Sequence, residues 1–387
     1  MKVLVVTLFA IETNTSVSVS NYEMINALIN MGHEVTVLMP TINKNLFYFD
    51  DTYKLKNAKI IRIKNQNIAS KIVEASTNSS KLKRELIGVI RNAYNKFQIL
   101  DKTKLLLKQA ENIKLEKFYD IVISTSDPKT SHVFLKKLID NGLEYGRWIQ
   151  HWGDPFSGDI SKNNIYPEFI IKKYEKSILK NADKIIYVSP FTLEEQRNKY
   201  IELSSKMSFV PLPCINERNE SKINKDKKDK LKIVYLGDYN SSIRNIIPLY
   251  NSCKKMKFID LTIAGNSNLK LENLDNIHIL PRISQSKVKE LENGSDIIIA
   301  IGNKEGTQIP GKIYYAASSN KPIVFAADGN NSDKIIEYLN TFNRFICCLN
   351  DEDSITRCLN NLRVDYPIYS GAPENLKATN IVKNIIM

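Results

Sequence analysis

Residues 302–325 read GNKEGTQIPGKIYYAASSNKPIVF, and this stretch decides the fold. Directly before it stands an unbroken apolar run, Ile297-Ile298-Ile299-Ala300, and Ile323 to Ala326 forms a second one. Short apolar runs rich in β-branched residues, bounded by polar or glycine-containing segments, read as strands buried on both faces. Between them Pro310-Gly311-Lys312 opens a helix, because proline's fixed φ suits a first helical turn. Strand, loop, helix and strand make the crossover unit of a parallel sheet. The helix start offers backbone N–H groups that lack intrahelical partners, with the Lys312 cation beside them. The unit is expected to receive an anion, phosphate first, without a Walker-type loop.

The same alternation runs outward in both directions. Upstream, strands are expected at 232–236, 261–264 and 277–280, and downstream at 345–349. The N-terminal part opens with a strand at 3–7, a ligand-facing loop at 8–20, a helix at 22–31 closed by Gly32, and a strand at 35–38. Further strands are expected at 121–124, 148–150 and 184–188. Residues 217–230 (ERNESKINKDKKDK) carry almost no apolar side chain and read as a linker. The expected fold class is therefore α/β, with two Rossmann-like, doubly wound domains facing each other across a cleft. The domains are 1–216 and 231–365, and a C-terminal helix at about 366–387 packs back on the first.

A chain of 387 residues exceeds what one core usually organises, which agrees with two domains. Lys and Arg number 55 against 42 Asp and Glu, a net charge of +13. A surplus of this size favours anionic partners. Much of it falls in residues 81–117, where ten cations face four carboxylates. These residues read as basic amphipathic helices at 81–109, suited either to solvent or to an anionic membrane surface. No aromatic-basic module accompanies the charge, so nucleic acid is not an expected partner. Five cysteines show no metal-ligand spacing and no even-numbered disulfide framework, which fits a reducing cytoplasm. The opening MKVLVVTLFAI is broken by Glu12 and reads as a buried strand rather than a leader. No run reaches the length of a membrane span.

Several segments together resemble the GT-B nucleotide-sugar glycosyltransferases, near family 4 of the retaining enzymes. They are MKVLVVT with MGHEVTVL, WIQHWGDP, NADKIIYVSPFT, VYLGDYNSSIRNI and IPGKIYYAASSNKPIV. The WIQHWGDP segment is similar to bacterial polysaccharide-assembly members. The resemblance implies transfer of a sugar from a nucleotide-diphosphate donor to a glycan or lipid-linked acceptor, with retention. It also implies metal-independent chemistry with no cofactor beyond the donor co-substrate. The location would be cytoplasmic, with peripheral attachment at the inner face of the plasma membrane as a further expectation.

Residue roles follow from the same resemblance. Lys312, Gly311, Arg244 and Arg282 would hold the donor diphosphate, where cations and dipoles stabilise the charge that develops on the leaving group. Arg244 suits phosphate through its planar fork. Gly237, Gly265, Thr307, Gln308 and Tyr315 would line the nucleotide and sugar. His151 and Asp154 would be the catalytic pair, His151 orienting a sugar hydroxyl by hydrogen bonding rather than deprotonating it. Ser126, Asp127, Gln150 and Trp152 would form the acceptor side, with Trp152 stacking on a pyranose ring.

Two departures stand out. The family carries paired glutamates where this chain has Thr307 and Tyr315, and a glycine pair where 13–21 reads TNTSVSVSN. They keep a second reading open, a catalytically impaired GT-B partner that binds nucleotide sugar. A nucleotide-sugar epimerase would need acid–base carboxylates and histidines that do not assemble here.

Overall fold

The computed structural model describes residues 1–46, 48–64, 98–157, 165–215 and 230–387. The chain divides into two compact units, Met1–Val210 with Val382–Met387, and Pro211–Ile381.

Unit 1 holds a seven-stranded sheet in the order β3-β2-β1-β4-β5-β6-β7, with every pair parallel. Its strands are β1 (Lys2–Val6), β2 (Glu34–Pro40), β3 (Lys59–Ile63), β4 (Phe118–Thr125), β5 (Glu144–Trp152), β6 (Lys184–Tyr187) and β7 (Met207–Phe209). The helices α1 (Ser16–Asn30), α2 (Thr130–Asp140), α3 (Glu168–Leu179) and α4 (Pro190–Lys199) alternate with them. The central strand β1 shows why the sequence folds this way: Val3, Leu4, Val5 and Val6 are all fully buried. A strand covered on both faces gains from apolar residues at every position, at roughly 1.5–3 kcal/mol for each large side chain. The order reverses between β1 and β4, so the loops after these strands diverge to opposite faces and leave a crevice there.

Unit 2 repeats the plan with six parallel strands in the order β10-β9-β8-β11-β12-β13. They are β8 (Leu231–Leu236), β9 (Ile259–Ala264), β10 (Ile277–Leu280), β11 (Ile297–Ile301), β12 (Ile323–Ala327) and β13 (Ile346–Leu349). Its helices are α5 (Ile247–Lys255), α6 (Gln285–Gly294), α7 (Lys312–Ala316), α8 (Ser332–Asn340) and α9 (Glu352–Val364). Here the order reverses between β8 and β11. The last helix, α10 (Ala378–Ile386), starts later than the expected 366. Its C-terminal carbonyls are met by cations of unit 1: Arg147 donates to Ile386 and Met387, and Lys184 to Asn384 and Ile385. Cations at this end suit the helix dipole.

Several expectations are corrected. The hydroxyl-rich run 13–21 is not all loop, because Thr15 caps α1 by accepting from the Ser18 N–H, and the helix begins at Ser16. The edge strands β3 and β7 were not expected. Edge strands bury less surface and carry weaker apolar patterns, as the burial of Lys59–Ile63 illustrates. The strand expected at 148–150 extends to Trp152. The helix opened by Pro310 is a single five-residue turn, so its dipole contributes little and the charge of the site must come from side chains. The basic segment is described only from residue 98. There, residues 102–112 form consecutive 3-10 turns, while 81–97 and the linker residues 217–229 lie outside the described residues.

Candidate functional site

The loops that follow β8, β9, β10 and β11 converge at the switch point of unit 2. Gly237 is the first residue after β8, and a methyl group there would lie 3.1 Å from the Lys312 Nζ and 3.3 Å from its Cε. The absence of a side chain at Gly237 is what gives the lysine its path across the end of β8. Gly265, after β9, has a different reason. A Cβ at that position would fall 2.1 Å from the Gly237 carbonyl oxygen, so only glycine allows the two loops to touch. This backbone contact gives Gly265 a structural reason that is independent of any ligand.

Asp238 organises the next layer. Its carboxylate pairs with Arg282, which follows β10, and accepts from the Asn266 N–H at 2.8 Å. Arg244 is held from the other side, its Nε donating to the Asn303 Oδ1 at 2.9 Å. Asn303, directly beyond β11, is buried and also donates to the Gln308 carbonyl at 3.2 Å. Lys304 ties the same loop to the Arg244 loop through its N–H to Ile243 and its ammonium to the Ser241 carbonyl. A buried tyrosine, Tyr235, hydrogen-bonds with Arg244 and donates to the Asp238 carbonyl, and burial raises its hydroxyl to about 12. It stays protonated and acts as a donor.

The electrostatics fit an anion site. The Lys312 side chain is exposed, yet the protein around it withdraws bulk water, and this desolvation leads the causes that lower its ammonium to about 8. Glu292 and Asp238 oppose the shift, while Arg244 and Arg282 add like-charge repulsion. Because solvent reaches the group, screening limits the energy involved. Three cations gathered at one strand end repel one another, a repulsion that an anion would relieve. Thr307 and Gln308 are half-buried on the same β11–α7 loop, Gly311 sits at its end, and Tyr315 is buried on α7.

In unit 1 the predicted residues lie at the ends of β4 and β5. His151 is the penultimate residue of β5 rather than part of a loop, and it is 5% exposed. Its carbonyl accepts from the Ser126 N–H at 2.9 Å, and its Nδ1 has no hydrogen-bond partner. Burial lowers its imidazole to about 4, so His151 is neutral near pH 7. That suits a hydrogen-bonding group and makes a poor base. Ser126 accepts from the Gly153 N–H at 3.0 Å, which fixes the turn leading to the half-buried Asp154. Asp127 pairs at 3.0 Å with Lys129, a fully buried lysine whose ammonium also sits 5.6 Å from the Phe156 ring.

Two acceptor-side expectations are corrected. Trp152 is fully buried, with His132 stacked on it at 4.1 Å and Phe156 edge-on at 6.0 Å. No face is left for a sugar ring. Gln150 is also fully buried, donating to the Ile178 carbonyl and accepting from the Trp152 indole. Strand alternation puts both on the face covered by helices.

Sequence reading missed Asp238 as an anchor, Asn303, Lys129 and Glu175. Glu175 is fully buried and accepts from the N–H groups of Phe156 and Ser157, the Ser157 hydroxyl and the Tyr200 hydroxyl. It therefore fixes the loop that carries Asp154. A signal existed: Ile171, Glu175 and Ile178 share the apolar stripe of α3, where a carboxylate needs partners.

Among the described residues, no group of three or more His, Cys, Asp or Glu is arranged to hold a metal, and no helix is long and apolar enough to cross a membrane.

No protein-family model matches the chain, and no curated protein matches it in sequence. Solved structures do match. HepE of Anabaena, solved with UDP and glucose, superposes with a TM-score of 0.56 at 10% identity, over 100% of this chain and 95% of that one. Sucrose-phosphate synthase of Thermosynechococcus elongatus gives 0.54 at 12% identity, over 99% and 94%. A glycosyltransferase of Rickettsia africae ESF-5 gives 0.50 at 17%, over 99% and 93%. The fold is that of the GT-B glycosyltransferases, two parallel-sheet α/β domains. At these identities the likeness shows the fold alone.

Proposed function

We propose that this protein is a glycosyltransferase that moves a sugar from a nucleotide-diphosphate donor to a glycan or lipid-linked acceptor. The observation that carries the proposal is the Lys312 ammonium lying across Gly237 at the switch point of unit 2, with Arg244 and Arg282 beside it. Breaking a glycosidic bond to a diphosphate leaves negative charge on the departing oxygen, and preorganised cations favour that state. HepE of Anabaena has been solved with UDP and glucose and with UDP-glucose, which supports a uridine nucleotide as the first donor to try.

Transfer proceeds with retention through an oxocarbenium-like transition state, in which positioning and phosphate stabilisation supply most of the rate. Neutral His151 orients a sugar hydroxyl, and Asp154 binds hydroxyls of sugar or acceptor. Ser126 and Asp127 remain on the acceptor side, whereas buried Gln150 and Trp152 support the strand. The chemistry needs no metal, and the setting is bacterial surface polysaccharide assembly. The protein works in the cytoplasm, held by its basic residues 81–117 at an anionic membrane surface.

A second reading is favoured by one observation. Tyr315, which stands where the resembled family has a glutamate, is 6% exposed and offers no carboxylate. A chain that binds nucleotide sugar without turning it over fits that substitution. Isothermal titration with UDP, GDP and their sugars, followed by product assay, tests both readings. Lys312→Met is expected to weaken diphosphate binding by about 10- to 100-fold, the worth of a charge-assisted hydrogen bond. Binding with sugar transfer supports the transferase, and binding without transfer across varied acceptors supports the partner. Equal affinity of wild type and Lys312→Met, or no nucleotide binding at all, would overturn the site.

A further inference from the structure

Unit 2 ends on the edge strand β13, and α9 packs against it. Between them opens a cavity of about 460 Å³ whose lining includes Cys347, Cys348, Ser354, Arg357 and Cys358. Three of the five cysteines of the chain therefore meet in one hollow, away from the switch point. Cys348 of β13 and Cys358 of α9 share a side-chain hydrogen bond, and both are half-buried. The same hydrogen bond lowers Cys358 and raises Cys348, and burial raises Cys348 further. Burial also pushes Cys347 up to about 12. Two thiols in contact at the wall of a cavity are the arrangement of a reactive pair rather than of isolated core cysteines.

We propose that Cys358 and Cys348 form a reversible dithiol–disulfide site whose oxidant is a hydroperoxide. Cys358 gives up its proton and its sulfur attacks the peroxide, forming an S–O bond as the O–O bond breaks, and the departing hydroxide takes that proton to become water. Cys348, after giving up its proton, attacks the sulfenic sulfur. The S–S bond forms, the S–O bond breaks and a second water leaves. In sum, two thiols are oxidised to one disulfide while one hydrogen peroxide is reduced to two waters.

The fold connects this pair to the anion site. Asn350, two residues after Cys348, donates to the Asn245 carbonyl at 2.9 Å and to the Asp328 carboxylate at 2.8 Å. Asn245 adjoins Arg244. Drawing two sulfurs to about 2.05 Å pulls the end of β13 toward α9 and strains that clasp. This consequence rests on the nucleotide-binding reading, whereas the disulfide itself does not.

The experiment treats the full chain with stoichiometric hydrogen peroxide and maps its peptides by mass spectrometry. Titration with UDP follows, before and after dithiothreitol. A Cys348–Cys358 linked peptide is expected, with a loss of about 2 Da that dithiothreitol reverses. Cys347→Ser should leave it intact and Cys358→Ser should abolish it. Cross-linking through Cys347, oxygen adducts without a cross-link, or unmodified thiols would overturn the proposal, and wild-type mapping decides this even where a serine variant fails to fold. Oxidation is expected to weaken UDP binding severalfold. A clean disulfide with unchanged affinity would overturn the Asn350 coupling alone. A disulfide in a protein that binds no nucleotide even when reduced would count against the nucleotide reading and for the thiol site.

Discussion

At the scale of single residues, Lys312 carries the most consequence. Its ordinary value of 10.5 falls to about 8, with desolvation the leading cause. A bound diphosphate stabilises the charged ammonium and raises that value again, so binding near pH 8 takes up a proton. On the nucleotide-binding proposal, affinity is full well below pH 8 and declines as pH rises through it. We expect the association constant for a nucleoside diphosphate to fall about five- to tenfold between pH 7.5 and 9, as one proton is linked to binding. Titrations in buffers of different ionisation enthalpy should show the uptake, and Lys312→Met should remove it. In the unliganded protein the sign reverses. The unfolded chain keeps its proton up to 10.5, so the charged lysine opposes folding below about 8, and that opposition fades as pH rises from 8 to 10.5. Exposure keeps this second effect small. Lys312 was legible from the Pro-Gly-Lys turn. Its contact with Gly237 was not, because 75 residues of chain separate them and only the sheet order brings them together.

At the scale of elements, the single-turn helix α7 could not hold a lysine in place by itself. Isolated turns are unstable in water, since nucleation fixes several dihedrals for one hydrogen bond. It is held by burial of Ile313, Tyr314 and Ala316 and by Arg344, a buried guanidinium that donates to the carbonyls of Ala317, Ser319 and Lys321 just beyond the helix. The Tyr369 ring stacks 4.2 Å from that guanidinium. We expect Arg344→Met to destabilise the protein by about 3–5 kcal/mol in urea unfolding, since three buried carbonyls lose their partner. Arg344→Lys should recover only part, because an ammonium cannot span the three acceptors as a planar fork does. If Arg344→Met unfolds like wild type, α7 is held by other contacts. Strand content was easy to read where strands are central and apolar throughout, as in β1 and β11. It failed at β3 and β7, where one side of the strand has no partner and the pattern is diluted. It also failed at the end of β5, where His151 and Trp152 look like loop residues. They continue the strand because Trp152 and Gln150 bury into the helical layer and satisfy each other there.

At the scale of the whole molecule, the charge of +13 sets the non-specific partners. Exposed charges act over about a Debye length, close to 8 Å at physiological salt, so the proposed attraction to an anionic surface must be salt-sensitive. We expect the protein to float with vesicles containing phosphatidylglycerol and not with purely phosphatidylcholine vesicles. Half-molar salt should release it, and charge reversal at Lys102, Lys104 and Lys108 should weaken it. Flotation that ignores lipid charge would sink the membrane reading and leave the nucleotide site untouched.

By itself the sequence determined the fold class, because buried parallel strands demand apolar runs and their crossovers demand helices of a recognisable grammar. It also pointed to the strand ends of unit 2, since glycine, proline and lysine there have few other uses together, and the proposed anion site is built on them. What it could not determine was which cations share one site and which aromatic rings stay open to a ligand. Those answers depend on strand order and on which face each side chain takes. The tertiary structure alone decided that Gly265 serves a backbone, that Trp152 serves the core, and that Asp238 brings Arg282 beside Lys312.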